Sequence, residues 1–225
     1  MPQLNINLPP NIGRRDFDEW TSQLTQYLRD YLGFRESLII TDFGTNADAI
    51  NAAILSLTGG GRIIFPPGTY TVASGSIIIN QNNITLELQS GSIIDNITGT
   101  DFTIKITGNN CSIVGPGTIR VPDSPAIGAS SLVSLRKAAI WNTGDFTRIE
   151  NVTLQNSISY GIFNEGGDNL LIKGNRFLGD YTVYDIGDGN NHFAYYQDGG
   201  TDNQFLNNYV EYWVMGFGSG TFGQA

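Results

Sequence analysis

Apolar positions along this chain follow two rhythms, one helical and near the N-terminus, the other strand-like and long. The helical rhythm runs through Phe17, Trp20, Leu24, Tyr27 and Tyr31, spaced 3, 4, 3 and 4 residues apart. This is heptad spacing, and Leu28 and Leu32 widen the stripe. Asp16 and Glu19 stand in capping-box relation ahead of it, and Gly33 follows it. The pattern predicts a helix from Asp16 to about Leu32. Five large apolar groups on one stripe predict a self-associating neck. The competing reading is one amphipathic helix lying against a neighbouring domain, since two heptads do not establish a coiled coil. Residues 1–13, polar with Pro9-Pro10 and without a period, predict an extended arm.

A second helical stripe is formed by Ala47, Ile50, Ala53, Ile54 and Leu57, with Thr45 and Asn46 as capping residues before it and Gly59 after it. A lone amphipathic helix ahead of many strands predicts a cap over the open end of a strand stack, where bare edges invite aggregation. From Arg62 onward, short apolar runs are broken by Gly, Asn and Asp. Strands are predicted at 62–65, 76–80, 84–89, 92–95, 102–107, 112–115, 117–121, 139–142, 147–153, 170–173 and 204–210. Asn169–Phe177 and Asp202–Val210 resemble each other, and Ile149–Leu154 is close to both. An irregular repeat of short strands with Asn at the turns predicts a solenoid. At roughly 20–30 residues per coil, the stretch from Arg62 to Ala225 makes about six coils. Ile63, Phe65, Ile78, Leu86, Ile104, Ile113, Ile149, Ile172 and Phe205 are expected to share one core. The chain thus divides into an extended arm (1–13), a neck helix (14–36) and a solenoid (37–225). The glycine-rich end after Met215 makes a poor polar cap, so the solenoid is expected to continue in a longer chain or be covered by a partner.

Three motifs in the capping region carry a family resemblance: Asp42-Phe43-Gly44, then Ala49-Ile50 with Ala53-Ile54, then Gly60-Gly61, Ile63, Phe65-Pro66, Gly68 and Tyr70. Together they resemble the opening of the pectate-lyase-like right-handed parallel β-helix superfamily, which includes many bacteriophage tailspikes. The resemblance runs from about Leu38 to the C-terminus. It implies an all-β, right-handed parallel β-helix, to which the two helical stripes add an N-terminal neck helix and a short capping helix. The acidic connection that often follows the first glycine in that superfamily is shortened here to Thr45-Asn46-Ala47-Asp48, so no site is inferred from it.

Composition narrows the function classes. Net charge is −9, with 12 Lys and Arg against 21 Asp and Glu. That argues against nucleic acid, whose phosphates need a basic surface. One cysteine, Cys111, excludes an internal disulfide and reads as a small buried residue. No stretch is long and apolar enough for a transmembrane helix. The N-terminus lacks the charged start and apolar core of a signal peptide, which predicts a protein made in a host cytoplasm.

Two stretches break the strand rhythm, 122–137 and 178–196. The second combines Asp180, Tyr181, Tyr184, Asp185, Asp188, His192, Tyr195 and Tyr196. Sugars stack an apolar ring face on aromatic side chains and hydrogen-bond to carboxylates and amides. Tyr181, Tyr184, His192, Tyr195 and Tyr196 are therefore expected to bind substrate. A glycosidase needs two carboxyl groups flanking the bond, and Asp185, Asp188, Glu165 and Asp198 are the catalytic candidates, with Asp202 nearby. The same Asp-Gly pairs also serve as ordinary turn formers. An eliminating enzyme would need a cation and a base, and Lys173 and Arg176 are the available basic pair. The polygalacturonase pattern is incomplete: Asn142-Thr143-Gly144-Asp145 resembles its Asn-Thr-Asp element, but the Asp-Asp, His-Gly and Arg-Ile-Lys elements are missing. Asp185, Asp188, Asn190 and Asn191 miss calcium-loop spacing, so no metal and no cofactor are expected.

The resemblance, the heptad helix and the lack of a signal peptide lead to one expectation. It is a tailspike-like homotrimer on a phage tail that binds host surface polysaccharide, with its arm contacting other virion tail proteins. Whether it also depolymerises that polysaccharide is left open. A bacterial polysaccharide lyase or glycoside hydrolase, and a non-catalytic structural virion component, are the alternatives.

Overall fold

The computed structural model describes residues 36–97, 102–121, 138–155, 160–179, 193–211 and 215–219. The arm and the neck stripe from Phe17 to Tyr31 lie outside the described residues. The described part begins with strand β1 (Glu36–Ile39), a 3-10 turn (Ile40–Asp42) and helix α1 (Ala47–Ser56). The first coil is β2 (Gly61–Phe65), β3 (Gly68–Val72) and β4 (Ile77–Ile79). The second is β5 (Ile84–Leu88), β6 (Ser92–Asn96) and β7 (Ile104–Ile106). The third is β8 (Ser112–Val114), β9 (Thr118–Arg120) and β10 (Ala138–Asn142). Then come β11 (Arg148–Glu150), β12 (Thr153–Gln155) and β13 (Tyr160–Glu165), followed by β14 (Leu171–Lys173), β15 (Arg176–Leu178) and β16 (Phe193–Asp198). A last coil is β17 (Gln204–Leu206), β18 (Tyr209–Glu211) and β19 (Met215–Ser219).

Corresponding strands of successive coils pair in parallel and make three sheets. The first runs β1-β2-β5-β8-β11-β14-β17, the second β3-β6-β9-β12-β15-β18 and the third β4-β7-β10-β13-β16-β19. This is a parallel β-helix. Inward residues stack like on like: Ile63, Leu86, Ile113, Ile149 and Ile172 form one buried column of the first sheet, and Ile94, Ile119, Leu154 and Phe177 one of the second. Among the described residues, no helix is long and apolar enough to cross a membrane.

Each sheet edge at the N-terminal end is closed by a different device. Strand β1 extends the first sheet. Thr71 of the second sheet donates its N–H to the Thr45 carbonyl, and Asn46 bridges Thr71. On the third sheet the Asn51 side chain takes the place of a strand: its Oδ1 accepts from the Ile78 N–H and its Nδ2 donates to the Ser76 carbonyl. Asn46 caps α1 by accepting from the Ala49 N–H at 2.8 Å, and Ala47, Ile50, Ala53 and Ile54 face the coil beneath. The predicted capping helix is thus present.

Three expectations are corrected. Ile78 points out and is 43% exposed, while Ile77 and Ile79 point in. The predicted strands 147–153 and 204–210 each fold as two, because Asn151 and Asn207 turn the chain in the left-handed region at φ 58° and 52°. Phe205 is only partly buried, since it belongs to the last described coil.

Candidate functional site

The third sheet differs from the other two on its outer face. Its strands share a pattern: Ala139-Ile140-Trp141-Asn142, Gly161-Ile162-Phe163-Asn164 and Ala194-Tyr195-Tyr196-Gln197 align in register. In each, the third residue is aromatic and points outward. Trp141, Phe163 and Tyr196 therefore stand in one row, which Lys105 continues at its N-terminal end.

The rings of the row brace one another. Phe163 and Tyr196 are parallel to within 1° at 5.9 Å. Tyr160 and Phe193, the register pair preceding them, contact Tyr196 at 5.3 and 5.0 Å. Phe102 stacks on Trp141 at 4.6 Å, and Lys105 Nζ lies 3.8 Å from the centre of the Trp141 ring, a cation–π contact. The indole Nε1–H of Trp141 is buried and finds no hydrogen-bond acceptor among the described residues. Phe163 is fully buried, whereas Trp141 and Tyr196 are half-buried. Burial raises the Tyr196 hydroxyl above the usual tyrosine range, and the Asp198 carboxylate adds to the rise.

Two carboxylates end the strands beside this row. Glu165 closes β13 and Asp198 closes β16, and the two are register partners. Both follow an outward aromatic by two residues, so alternation puts them on the same face as the row. Gly166 and Gly199, each at φ 82°, turn the chain immediately after them. Adjacent parallel strands run about 4.8 Å apart, which brings the two acids side by side. Both are half-buried.

Beneath the row, inside the coil, runs an amide ladder. Asn142 Nδ2 donates to Asn164 Oδ1 at 2.7 Å and to the Gly144 carbonyl at 2.9 Å. Asn164 Nδ2 donates to the Gly167 carbonyl, and Gln197 Nε2 to the Gly200 carbonyl. Asn142 and Asn164 are fully buried. The Asn-Thr-Gly segment is therefore a core ladder, holding the turn that follows the outer face.

The predicted site residues separate accordingly. Glu165, Asp198 and Tyr196 come together on the third sheet, in strands and not in a loop. Tyr195 points the other way: it is buried in the core, stacked on Phe205 at 5.7 Å, with its hydroxyl donating to Gln197 Oε1. Burial raises its hydroxyl strongly, partly offset by a hydrogen bond with Asn164. A sugar-stacking role for Tyr195 is thus corrected, because alternation sends neighbouring residues to opposite faces. Asp185, Asp188, Tyr181, Tyr184 and His192 lie outside the described residues. Asp202 sits at the tight turn before β17 at φ 56°. Lys173 belongs to the first sheet, and Arg176 lies on the second, 5.8 Å over the Tyr209 ring. Neither shares a sheet with the two acids. Trp141, Phe163, Tyr160, Phe193 and Phe102 were not foreseen; the aligned small–apolar–aromatic–amide repeats were the available signal. Among the described residues, no group of three or more His, Cys, Asp or Glu could hold a metal ion.

No family model matches the sequence, and no curated protein matches it. The fold is similar to that of a candidate glycosyl hydrolase from Parabacteroides merdae, with a TM-score of 0.57, 19% identity, and coverage of 83% of this chain and 96% of that one. It is also similar to the family 28 exopolygalacturonase of Yersinia enterocolitica, with a TM-score of 0.60, 18% identity, and coverage of 78% of this chain and 43% of that one. ORF18 of Geobacillus virus E2 reaches 0.40 at 15% identity, covering 94% of this chain and 45% of that one. That score is too low to establish a shared architecture.

Proposed function

We propose that this chain is a tailspike-like β-helix that binds a host surface polysaccharide on the outer face of its third sheet and hydrolyses it there. The observation that carries the reading is the register pair Glu165 and Asp198 beside the row of Trp141, Phe163 and Tyr196. Glycoside hydrolysis uses two carboxyl groups. One protonates the leaving oxygen and the other attacks the sugar or activates water, at separations of about 5–5.5 Å for retention of configuration. Two side chains leaving adjacent strands in the same direction, about 4.8 Å apart, fall near that spacing. The half-buried rings of Trp141 and Tyr196, braced by the buried Phe163 between them, supply the apolar surface against which a sugar face packs.

Among the described residues, Lys173 and Arg176 stand on other sheets and Lys105 is engaged over Trp141, which favours hydrolysis over elimination. The fold shared with proteins named as a candidate glycosyl hydrolase and an exopolygalacturonase is compatible with this chemistry, though a fold does not choose a function. The trimeric tailspike setting rests on the heptad stripe from Phe17 to Tyr31.

The test is release of reducing ends from a panel of purified bacterial surface polysaccharides. Glu165→Gln and Asp198→Asn should each slow release at least about 100-fold, with binding and melting temperature kept. Unchanged release in both variants refutes the site. A wild type that neither binds nor cleaves any polysaccharide refutes the function and leaves a structural spacer. Light scattering should give three times the chain mass; a monomer at micromolar concentration refutes the trimer.

A further inference from the structure

The turn that carries the chain from the third sheet into the first repeats from coil to coil. Its equivalent residue in five successive coils is Asn83, Asn110, Phe146, Asn169 and Asp202, and each takes the left-handed conformation, at φ between 54° and 63°. The residue before each one belongs to a ladder: Asn82, Asn109, Asp145 and Asp168 each accept, through Oδ1, the backbone N–H one coil further on. Asn and Asp enter the left-handed region readily, whereas a bulky ring there is an outlier. Phe146 is the departure from the pattern, and packing does not explain it. Its side chain is 55% exposed, and it makes no ring contact among the described residues. Backbone strain of this kind collects at binding sites and switches.

We infer that Phe146 is a sugar-stacking platform, on which one unit of the polysaccharide lays a C–H face while its hydroxyls reach the side chains of Asn110 and Asn169. The inference rests on the polysaccharide reading above and adds a contact beside its acid pair. Asn110 and Asn169 stand one coil to either side of Phe146 in the same turn, and both are exposed. Their side-chain amides have no partner among the described residues. A ring flanked by amides suits a sugar, which offers an apolar face and a polar rim. A protein partner would instead call for a contiguous apolar patch. The place along the coil also fits. The Phe146 N–H donates to the Asp168 carbonyl at 2.9 Å, and Asp168 comes three residues after Glu165. At most about 11 Å of extended chain separates those two residues, a span that one oligosaccharide bridges.

The experiment is calorimetric titration of the full chain with a panel of neutral and acidic hexasaccharides, alongside thermal unfolding. Phe146→Asn installs the residue found at the neighbouring rungs. It should raise the melting temperature by about 2 °C or more and weaken binding of the best ligand at least about tenfold. Phe146→Tyr, which keeps the ring, should bind within about threefold of the wild type. Wild-type affinity in Phe146→Asn, with Glu165→Gln still blocking release of reducing ends, overturns the platform and leaves the hydrolytic reading standing. A lower melting temperature in Phe146→Asn also overturns it, because the ring would then serve the fold. Absence of binding by the wild type overturns both.

Discussion

Replacing Asn164 by Ala tests the idea that the outer face is held from inside by the amide ladder. Asn164 is fully buried, accepts from Asn142 Nδ2 at 2.7 Å, donates to the Gly167 carbonyl at 2.8 Å and hydrogen-bonds with the Tyr195 hydroxyl. Truncation leaves one Asn142 amide hydrogen buried without its acceptor, at a cost of about 1–3 kcal/mol. The bond to Gly167 is lost as well, but that carbonyl keeps the Asn203 Nδ2 donor at 3.1 Å, so this loss is about 1 kcal/mol. The total is about 3 kcal/mol, or a melting temperature lowered by about 6–12 °C for a domain of this size. The comparison is Arg148→Ala. It removes a shorter contact, 2.6 Å to Glu150, but the Arg148 side chain is 58% exposed, so its loss should cost about 0–1 kcal/mol. Thermal unfolding followed by far-UV circular dichroism separates the two. Equal melting of both variants would refute the argument that burial, and not bond length, sets the weight of these contacts.

The cap is tested by Ile54→Asp, which puts an unpaired carboxylate at a site with no exposure and should cost about 4 kcal/mol or more; a wild-type urea midpoint would show that α1 does not seal the first coil. Alkaline pH tests the buried tyrosines. Burial raises Tyr70, Tyr195 and Tyr196, and Asp198 adds to the rise at Tyr196. The folded chain therefore holds protons that the unfolded chain releases near pH 10. Stability from these groups is complete below about pH 10 and falls as pH rises through the raised values. The urea midpoint should drop between pH 9 and 11.5, less steeply in Tyr195→Phe, and a flat profile would contradict the burial.

The coiled architecture was legible in the sequence because strand alternation and turn residues are local properties. Ile63, Leu86, Ile113, Ile149 and Ile172 each sit between polar or half-exposed neighbours, and such alternation alone sends them inward. The capping helix was legible for the same reason, through Asn46 and the stripe from Ala47 to Leu57. Ile78 was misplaced because Ile77-Ile78-Ile79 has no alternation, and its direction was decided by Asn51 bonding its backbone from another element. β13 and β16 escaped notice because Tyr160–Phe163 and Phe193–Tyr196 are apolar on both faces, which erases the period-two signal. Of the candidate site, the sequence supplied Glu165, Asp198 and Tyr196 as chemistry, without saying that they meet. Trp141, Phe163 and Tyr196 are 22 and 33 residues apart in the chain, and only the parallel register of successive coils makes them neighbours. Which face a residue takes is written locally by alternation. Which residues share a rung depends on how much chain each coil consumes between its strands, and that is settled only when the coils stack.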